Sequence, residues 1–245
     1  MIVYQAVTVT CGKTSVRITV SSGIHAHVCD LASTFDAGSP PTTAIELHAR
    51  FLEHCAAHGQ DAALAILDAM CREHGIPSTS VHIVVQQHGL VEAAAQRVLR
   101  AYYLLWNVEG ARHCYFASER PSLPALFASC ATSPVAIFGG HPGSGAYLDE
   151  TRWLLDVYRP LVGDYVARMS AFLVSLVEDH RISHLYKAGL DVLEWLARPE
   201  STPDADYVAS SPVSIPLIAL TQLAQIVVLY KALGVSPGEL ARLFN

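Results

Sequence analysis

The chain opens with alternation. Val16, Ile18 and Val20 take every second position among polar neighbours, and β-branched runs flank Gly12-Lys13 on both sides. That pattern predicts a β-hairpin over residues 2–20. Residues 21–41 lose periodicity and end in Ser39-Pro40-Pro41, which reads as loop. Helical spacing follows. Thr43 and Glu46 form a capping box by sequence, and the helix they open carries Leu47, Phe51, Leu52 and Cys55 on its apolar side. A second helix is predicted over 61–73, with Leu64, Leu67, Met70 and Cys71 on one side and Gly75 as its stop. A third runs from Val91 to Trp106 through Ala95, Val98, Tyr102 and Leu105. Residues 107–121 are polar, and Pro121 and Pro124 mark a break near 121–131, which divides the chain into 1–130 and 131–245.

After the break the pattern changes. Ser133 to Phe138 is a short continuous apolar run, as a buried parallel strand would be. It meets the glycine-rich stretch Gly139-Gly140-His141-Pro142-Gly143-Ser144-Gly145, then helices predicted over 147–158, 161–178 and 188–197. A loop bearing Pro and Asp spans 198–206, and a long apolar helix covers Ile215–Tyr230. Ser236-Pro237-Gly238-Glu239 then combines an N-cap serine, a proline at the first helical position and a glutamate at the third.

Composition narrows the function. Of 245 residues, 51% are apolar and 16% charged, enough for a real core and too apolar for disorder. The net charge of −6 comes from scattered acids, and no basic stripe is present to meet phosphates, so nucleic acid is not an expected partner. Asp206 to Lys231 contains no charge between its ends. Its apolar run is shorter than the roughly 20 residues of a membrane span and carries Thr221, Gln222 and Gln225, which are costly in lipid. A buried core helix is expected there, and no span. Six cysteines without a C-x-x-C pair, and an opening Met-Ile-Val-Tyr-Gln without a basic n-region, point to buried thiols in a reducing cytoplasm.

Two apparent motifs dissolve on inspection. Gly12-Lys13-Thr14 lacks the glycine that a phosphate loop needs at position 7, which is Val7, so it reads as a turn. Among the twelve histidines, His54 with His58 and His180 with His184 lie four apart, and His25, His27 and Cys29 form a third group. None shows a fixed third ligand, and Cys55 stands where a zinc protease has its glutamate, so no metal ligand is assigned. The strand–glycine loop–helix at 133–158 is more informative, because such a loop offers N–H groups to an oxyanion or a phosphate. No G-x-G-x-x-G can be read across it, and Pro142 and Ala146 stand where G-x-S-x-G around Ser144 would need glycines.

At this loop the chain resembles a family. Val135 to Gly140, with Tyr147, Glu150, Arg152 and Tyr158, is similar to the opening of the acetyltransferase domain of fungal-type fatty acid synthase β subunits. Starter-unit acyltransferase domains of fungal aromatic polyketide synthases look similar. The likeness continues through Leu161-Val162-Gly163-Asp164, Gly189 to Leu196, Thr202-Pro203-Asp204, Asp206-Tyr207, Ser214 to Ile218, Gln222-Leu223-Ala224 and Leu233 to Leu240. Upstream, Pro41-Thr42-Thr43, Glu46-Leu47 and Phe51-Leu52 resemble the small N-terminal domain of the same subunit.

The resemblance implies a helix-rich α/β fold: a small N-terminal α+β or helical domain (1–130), then the incomplete first part of an α/β acyltransferase domain (131–245). It implies acyl transfer from a coenzyme A thioester to the phosphopantetheine thiol of an acyl carrier protein, with no tightly bound cofactor. Partners would be that carrier and the remaining synthase domains. Gly139, Gly140 and His141 become the oxyanion or acyl loop, with His141 where the family has glutamine and Pro142, which lacks an N–H, where it has glycine. Gln222 becomes the supporting-helix candidate. The family nucleophile, in G-H-S-x-G, is expected just after Asn245 and its histidine further on. No catalytic residue is therefore assigned within this chain, which is expected to be inactive alone. Its core would be incomplete, leaving apolar surface on the 215–230 helix and on the Val135–Phe138 strand. The alternative is a non-catalytic structural or interaction module of a fatty acid or polyketide synthase; a membrane-associated helical protein, resting on 207–230 alone, is a third reading.

Overall fold

The computed structural model describes residues 3–76, 80–108, 146–179 and 181–242. The expected strand at 133–138, the loop with Gly139, Gly140 and His141, and His180 lie outside them. The chain separates into two compact units, Met1–Ser118 and Glu119–Asn245.

The first unit begins with the hairpin. Strands β1 (Tyr4–Cys11) and β2 (Thr14–Ser21) pair antiparallel with Cys11 opposite Thr14. The two-residue loop between them needs a positive φ, which Gly12 supplies at 60°. Alternation puts Val7 opposite Ile18 and Val9 opposite Val16, all four buried on one face. That face packs on three helices: α1 (Ser22–Thr34), α2 (Ala44–His58) and α3 (Gln60–His74). Two more complete the unit, α4 (Val81–Gln87) and α5 (Glu92–Tyr103), with α5 on both α2 and α4.

Helix α2 is the centre of this unit. Ile45, Leu47, Phe51, Leu52 and Cys55 have no exposed surface, and Glu46, His48 and Arg50 are buried with them. Over its first two turns, residues 45–52, the helix is covered on all sides, as a core helix is, while Ala57 and His58 at its end are exposed. Its cap differs in one detail from the sequence expectation. Thr43 Oγ1 accepts from Glu46 N at 3.3 Å, but Glu46 Oε2 accepts from Thr42 N at 2.9 Å rather than from the cap residue itself. Helix α3 ends as predicted, at Gly75 with φ 67° and its N–H on Cys71 O.

The non-periodic reading of 21–41 is corrected for its first part. Residues 22–34 form α1, which buries Val28 and Leu31 against the hairpin. Tertiary burial of this narrow apolar edge overrides the weak propensity of Gly23, Ser33 and Thr34.

In the second unit, α6 (Ala146–Val177) holds the two helices predicted over 147–158 and 161–178. They join at a kink where Tyr158 leaves helical geometry (φ −121°, ψ 25°), two residues before Pro160. A single turn of 3₁₀ helix at Ser183–Leu185 follows. The helix expected over 188–197 is shorter, α7 (Val192–Ala197), because Gly189 sits at φ 74° and Asp191 caps the helix by accepting from Glu194 N at 3.1 Å. The 198–206 stretch holds a second 3₁₀ turn, Pro199–Ser201, and Asp204 caps α8 (Ala205–Ala209). Helix α9 (Ser211–Ala232) is the long apolar helix. It packs on α6, and α7 packs on α6 as well. The last helix, α10 (Pro237–Arg242), has the full capping box: Ser236 Oγ accepts from Glu239 N at 3.2 Å, and Glu239 Oε2 accepts from Ser236 N at 2.8 Å.

Among the described residues the only sheet is the two-stranded hairpin, and the architecture is helix-rich. Four described cysteines, Cys11, Cys29, Cys55 and Cys71, are free thiols. Burial pushes Cys55 and Cys71 up to about 12, so neither is a nucleophile at neutral pH.

Candidate functional site

Helix α6 starts at Ala146, immediately after the glycine-rich stretch, so its first turns carry the residues nearest in sequence to that loop. A row of polar groups ties them to α9. Thr151 Oγ1 donates to Tyr147 O at 2.8 Å and lies 2.8 Å from Thr221 Oγ1, and Thr221 Oγ1 also reaches Tyr147 O at 3.3 Å. Both hydroxyls are buried. One turn on, Gln225 Nε2 donates to Glu150 Oε1. Inside an apolar contact these bonds select one sliding register, because any shift strands the hydroxyls without partners. Gln222, the supporting-helix candidate, is half-buried beside Thr221 on the same helix.

A second clamp reaches from α6 to α7. Arg152 Nη2 donates to Trp195 O at 2.7 Å and Nε to Leu196 O at 3.4 Å, while Nη1 pairs with Asp149 at 2.6 Å. Tyr207 Oη donates to Gly189 O at 2.6 Å. Tyr147, Glu150, Arg152, Gly189, Trp195 and Tyr207 all belong to the segments that carry the family resemblance, and here each holds backbone or helix position. Among the described residues no imidazole is bonded to either buried threonine hydroxyl. This seam holds α6 and α9 in register. Its sequence signal was the set of polar interruptions Thr221, Gln222 and Gln225 in an apolar run; Thr151 carried no comparable signal.

Helix α9 covers only part of itself. Leu217, Leu220 and Ala224 are buried, whereas Ile215 is 63% exposed, Leu223 45% and Leu229 38%. This is the open apolar surface expected on 215–230. Both α6 and α9 are long and apolar enough to cross a membrane by length and composition, and they meet each other through the threonine pair.

The histidine pairs sort differently from their spacing. The His54 and His58 rings approach to 4.5 Å, with His58 Nδ1 at 2.8 Å from His54 O. The His25 ring lies beside Cys29 Sγ at the long distances of 3.8 Å (Nδ1) and 3.7 Å (Nε2), and His27 is exposed. His184 lies in the 3₁₀ turn. Elsewhere in the first unit, burial drives several imidazoles toward their neutral form. His48 falls to about 3, by burial and then by the nearby His74, and His74 falls to about 4, by burial and then by His88. Burial also lowers His82, whose Nε2 is 3.1 Å from Tyr103 Oη, and raises the Glu73 carboxyl. Glu73 Oε2 comes within 3.4 Å of His48 Nδ1 without hydrogen-bond geometry. With the buried His48 held neutral, this contact is not an ion pair.

No family model matches the chain. Among curated proteins it is 36% identical over 170 residues to the fatty acid synthase subunit beta of Schizosaccharomyces pombe, covering 69% of this chain and 8% of that one. It is 44% identical over 107 residues to the fatty acid synthase subunit beta of Saccharomyces cerevisiae, covering 43% of this chain and 5% of that one. It is 32% identical over 189 residues to fatty acid synthase 2 of Mycosarcoma maydis, covering 75% and 5%. The chain thus spans less than a tenth of the length of these relatives.

Proposed function

Because the chain is homologous to a segment of fungal-type fatty acid synthase β subunits, we propose that residues 1–130 serve as the N-terminal domain of such a subunit and 131–245 as the start of its acyl-transfer domain. The reaction is loading of an acetyl or other starter acyl group from a coenzyme A thioester onto an acyl carrier protein, in cytoplasmic fatty acid biosynthesis. The observation that carries this reading is the 170-residue relation to a fatty acid synthase subunit beta.

In this role Gly139, Gly140 and His141 present backbone N–H groups to the acyl oxygen, and Gln222 supports them from α9. The geometry favours a fixed loop exit: α6 leaves the loop and is at once registered on α9 by Thr151, Thr221 and the Glu150–Gln225 bond. Oxyanion donors work only when held within a few tenths of an ångström of their target. The G-H-S-x-G nucleophile signature is not found among residues 1–245. This segment therefore contributes binding and positioning, while nucleophile and base come from elsewhere in a synthase.

Two experiments test the reading. The 245-residue polypeptide incubated with radiolabelled acetyl-CoA should take up no covalent label; a stable acyl adduct on any of its residues would refute the assignment. Grafted in place of the homologous segment of a fungal β subunit, the chain should retain acetyl loading of the carrier, and a folded graft without loading would do the same. A second reading, a non-catalytic interaction module of a fatty acid or polyketide synthase, is favoured by the open Ile215, Leu223 and Leu229. It predicts that a synthase co-purifies with this chain while the graft stays inactive.

A further inference from the structure

Three side chains of the first unit come together although their spacing announces nothing. His48 lies on α2, and Glu73 and His74 are the last two residues of α3. One metal-ligating atom from each lies within 4.8 Å of the other two. The His48 ring has no exposed surface, yet neither of its nitrogens has a hydrogen-bond partner, and His74 Nε2 is likewise buried without one. Buried polar atoms in folded proteins are almost always satisfied, so orphaned nitrogens gathered at one point need an explanation. The two rings meet edge-on with centroids 5.6 Å apart. In its neutral form each ring carries one N–H and one lone pair, and the lone pair is what a cation needs.

We propose that His48, Glu73 and His74 bind one first-row divalent cation, Zn²⁺ by the character of the donors, and that the ion cross-links α2 to α3. Two imidazole nitrogens and one carboxylate oxygen are a zinc donor set. Bonds of about 2.0–2.1 Å place tetrahedral ligand atoms about 3.3 Å apart, so each group moves in by less than about 1 Å to close on the ion. Glu73 and His74 also lie in the last turn of α3, where the partial negative charge of the carbonyls favours a cation. The Glu73 side chain is 38% exposed, which gives the ion a route from solvent and leaves a fourth position for water. The His88 ring stands 5.7 Å from His74. None of this involves the acyl-transfer reading, and the test reads metal alone.

The test uses the chelator-stripped 245-residue chain titrated with ZnCl₂ by calorimetry, with Co²⁺ absorption as a report on nitrogen coordination. One ion per chain should bind with a Kd of about 10 µM or tighter, and saturation should raise the Tm of the first unit. Glu73→Gln and His74→Gln sit at a helix end and should fold, as circular dichroism can verify; each should weaken the Kd at least tenfold and remove the Co²⁺ bands. His54→Gln, in the separate pair on α2, should leave the Kd within twofold. Absence of saturable binding up to about 100 µM, or binding that survives Glu73→Gln and His74→Gln, overturns the proposal. So does binding abolished by His54→Gln.

Discussion

Arg50→Met tests the packing argument for the first unit most directly. Arg50 Nη1 donates to Ala37 O at 2.6 Å and to Ser39 O, and Nη2 donates to Glu46 Oε1 at 2.5 Å. The two side chains are only 8% and 6% exposed. Methionine fills a similar length but leaves Glu46 buried without its cation and two loop carbonyls without a donor. Stripping one partner from a buried pair costs about 3–5 kcal/mol. The low end, about 3 kcal/mol, applies here because Glu46 Oε2 keeps Thr42 N at 2.9 Å and Thr42 Oγ1 at 3.0 Å. Against a domain stability of about 5–15 kcal/mol this is large. Amide hydrogen exchange of α2, followed by mass spectrometry, reads the loss locally in a chain of two units.

The effect also carries a pH signature. Burial alone would raise the Glu46 carboxyl, but the Thr42 N–H and the Arg50 guanidinium together bring it below its ordinary 4.5. A depressed carboxylate contributes stability above its unfolded pKa and loses it as pH falls through the folded one. The Arg50→Met penalty should therefore shrink below pH 4.5, where a protonated Glu46 no longer needs a cation. A penalty under about 1 kcal/mol at neutral pH, or one that does not change with pH, would refute the reasoning.

Two further outcomes are expected. Thr151→Val and Thr221→Val should each cost about 1 kcal/mol, but the double variant should cost clearly less than their sum, since two apolar isosteres leave no hydroxyl orphaned; additive losses in urea unfolding would show that the hydroxyls do not form one contact. With metal chelated, the first unit should lose stability as pH falls below 6.5, because His48 is neutral when folded and charges only near about 3. The unfolded chain binds the extra proton, so the loss from His48 grows at about 1.4 kcal/mol per pH unit. A flat acid limb between pH 6.5 and pH 4 would count against a buried neutral His48.

What the sequence revealed depended on how local the cause was. Gly12, the Thr43 neighbourhood, Gly75 and the Ser236–Glu239 box each act within four residues, so all their parts stand together in the sequence. Even so, Gly189 and the Asp191 cap fall inside the helix that the pattern predicts over 188–197, which starts only at Val192. Helix α1 was missed although Ile24, Val28 and Leu31 have helical spacing, because polar and small residues surround them and only the hairpin makes burial worthwhile. The Thr151–Thr221 contact spans 70 positions, and only its α9 half stood out. The His48–Glu73–His74 group depends on how α2 rotates against α3, which no spacing rule encodes; the pairs that spacing did pick, such as His54 and His58, acquired no third ligand among the described residues.

The Arg152 clamp bears on the order in which the second unit folds. A helix as short as Val192–Ala197 cannot hold itself in water, since nucleation costs more than one turn of bonds returns. Two of its last carbonyls are met by a guanidinium 43 and 44 positions earlier. Helicity there is thus a consequence of docking, not a precondition for it. As the chain leaves the ribosome, Arg152 emerges first on α6, and the later segment takes its shape on arrival, closing the intervening loop in the same step. The little helix is moulded on its neighbour, and its amides should gain and lose protection together with those of α6.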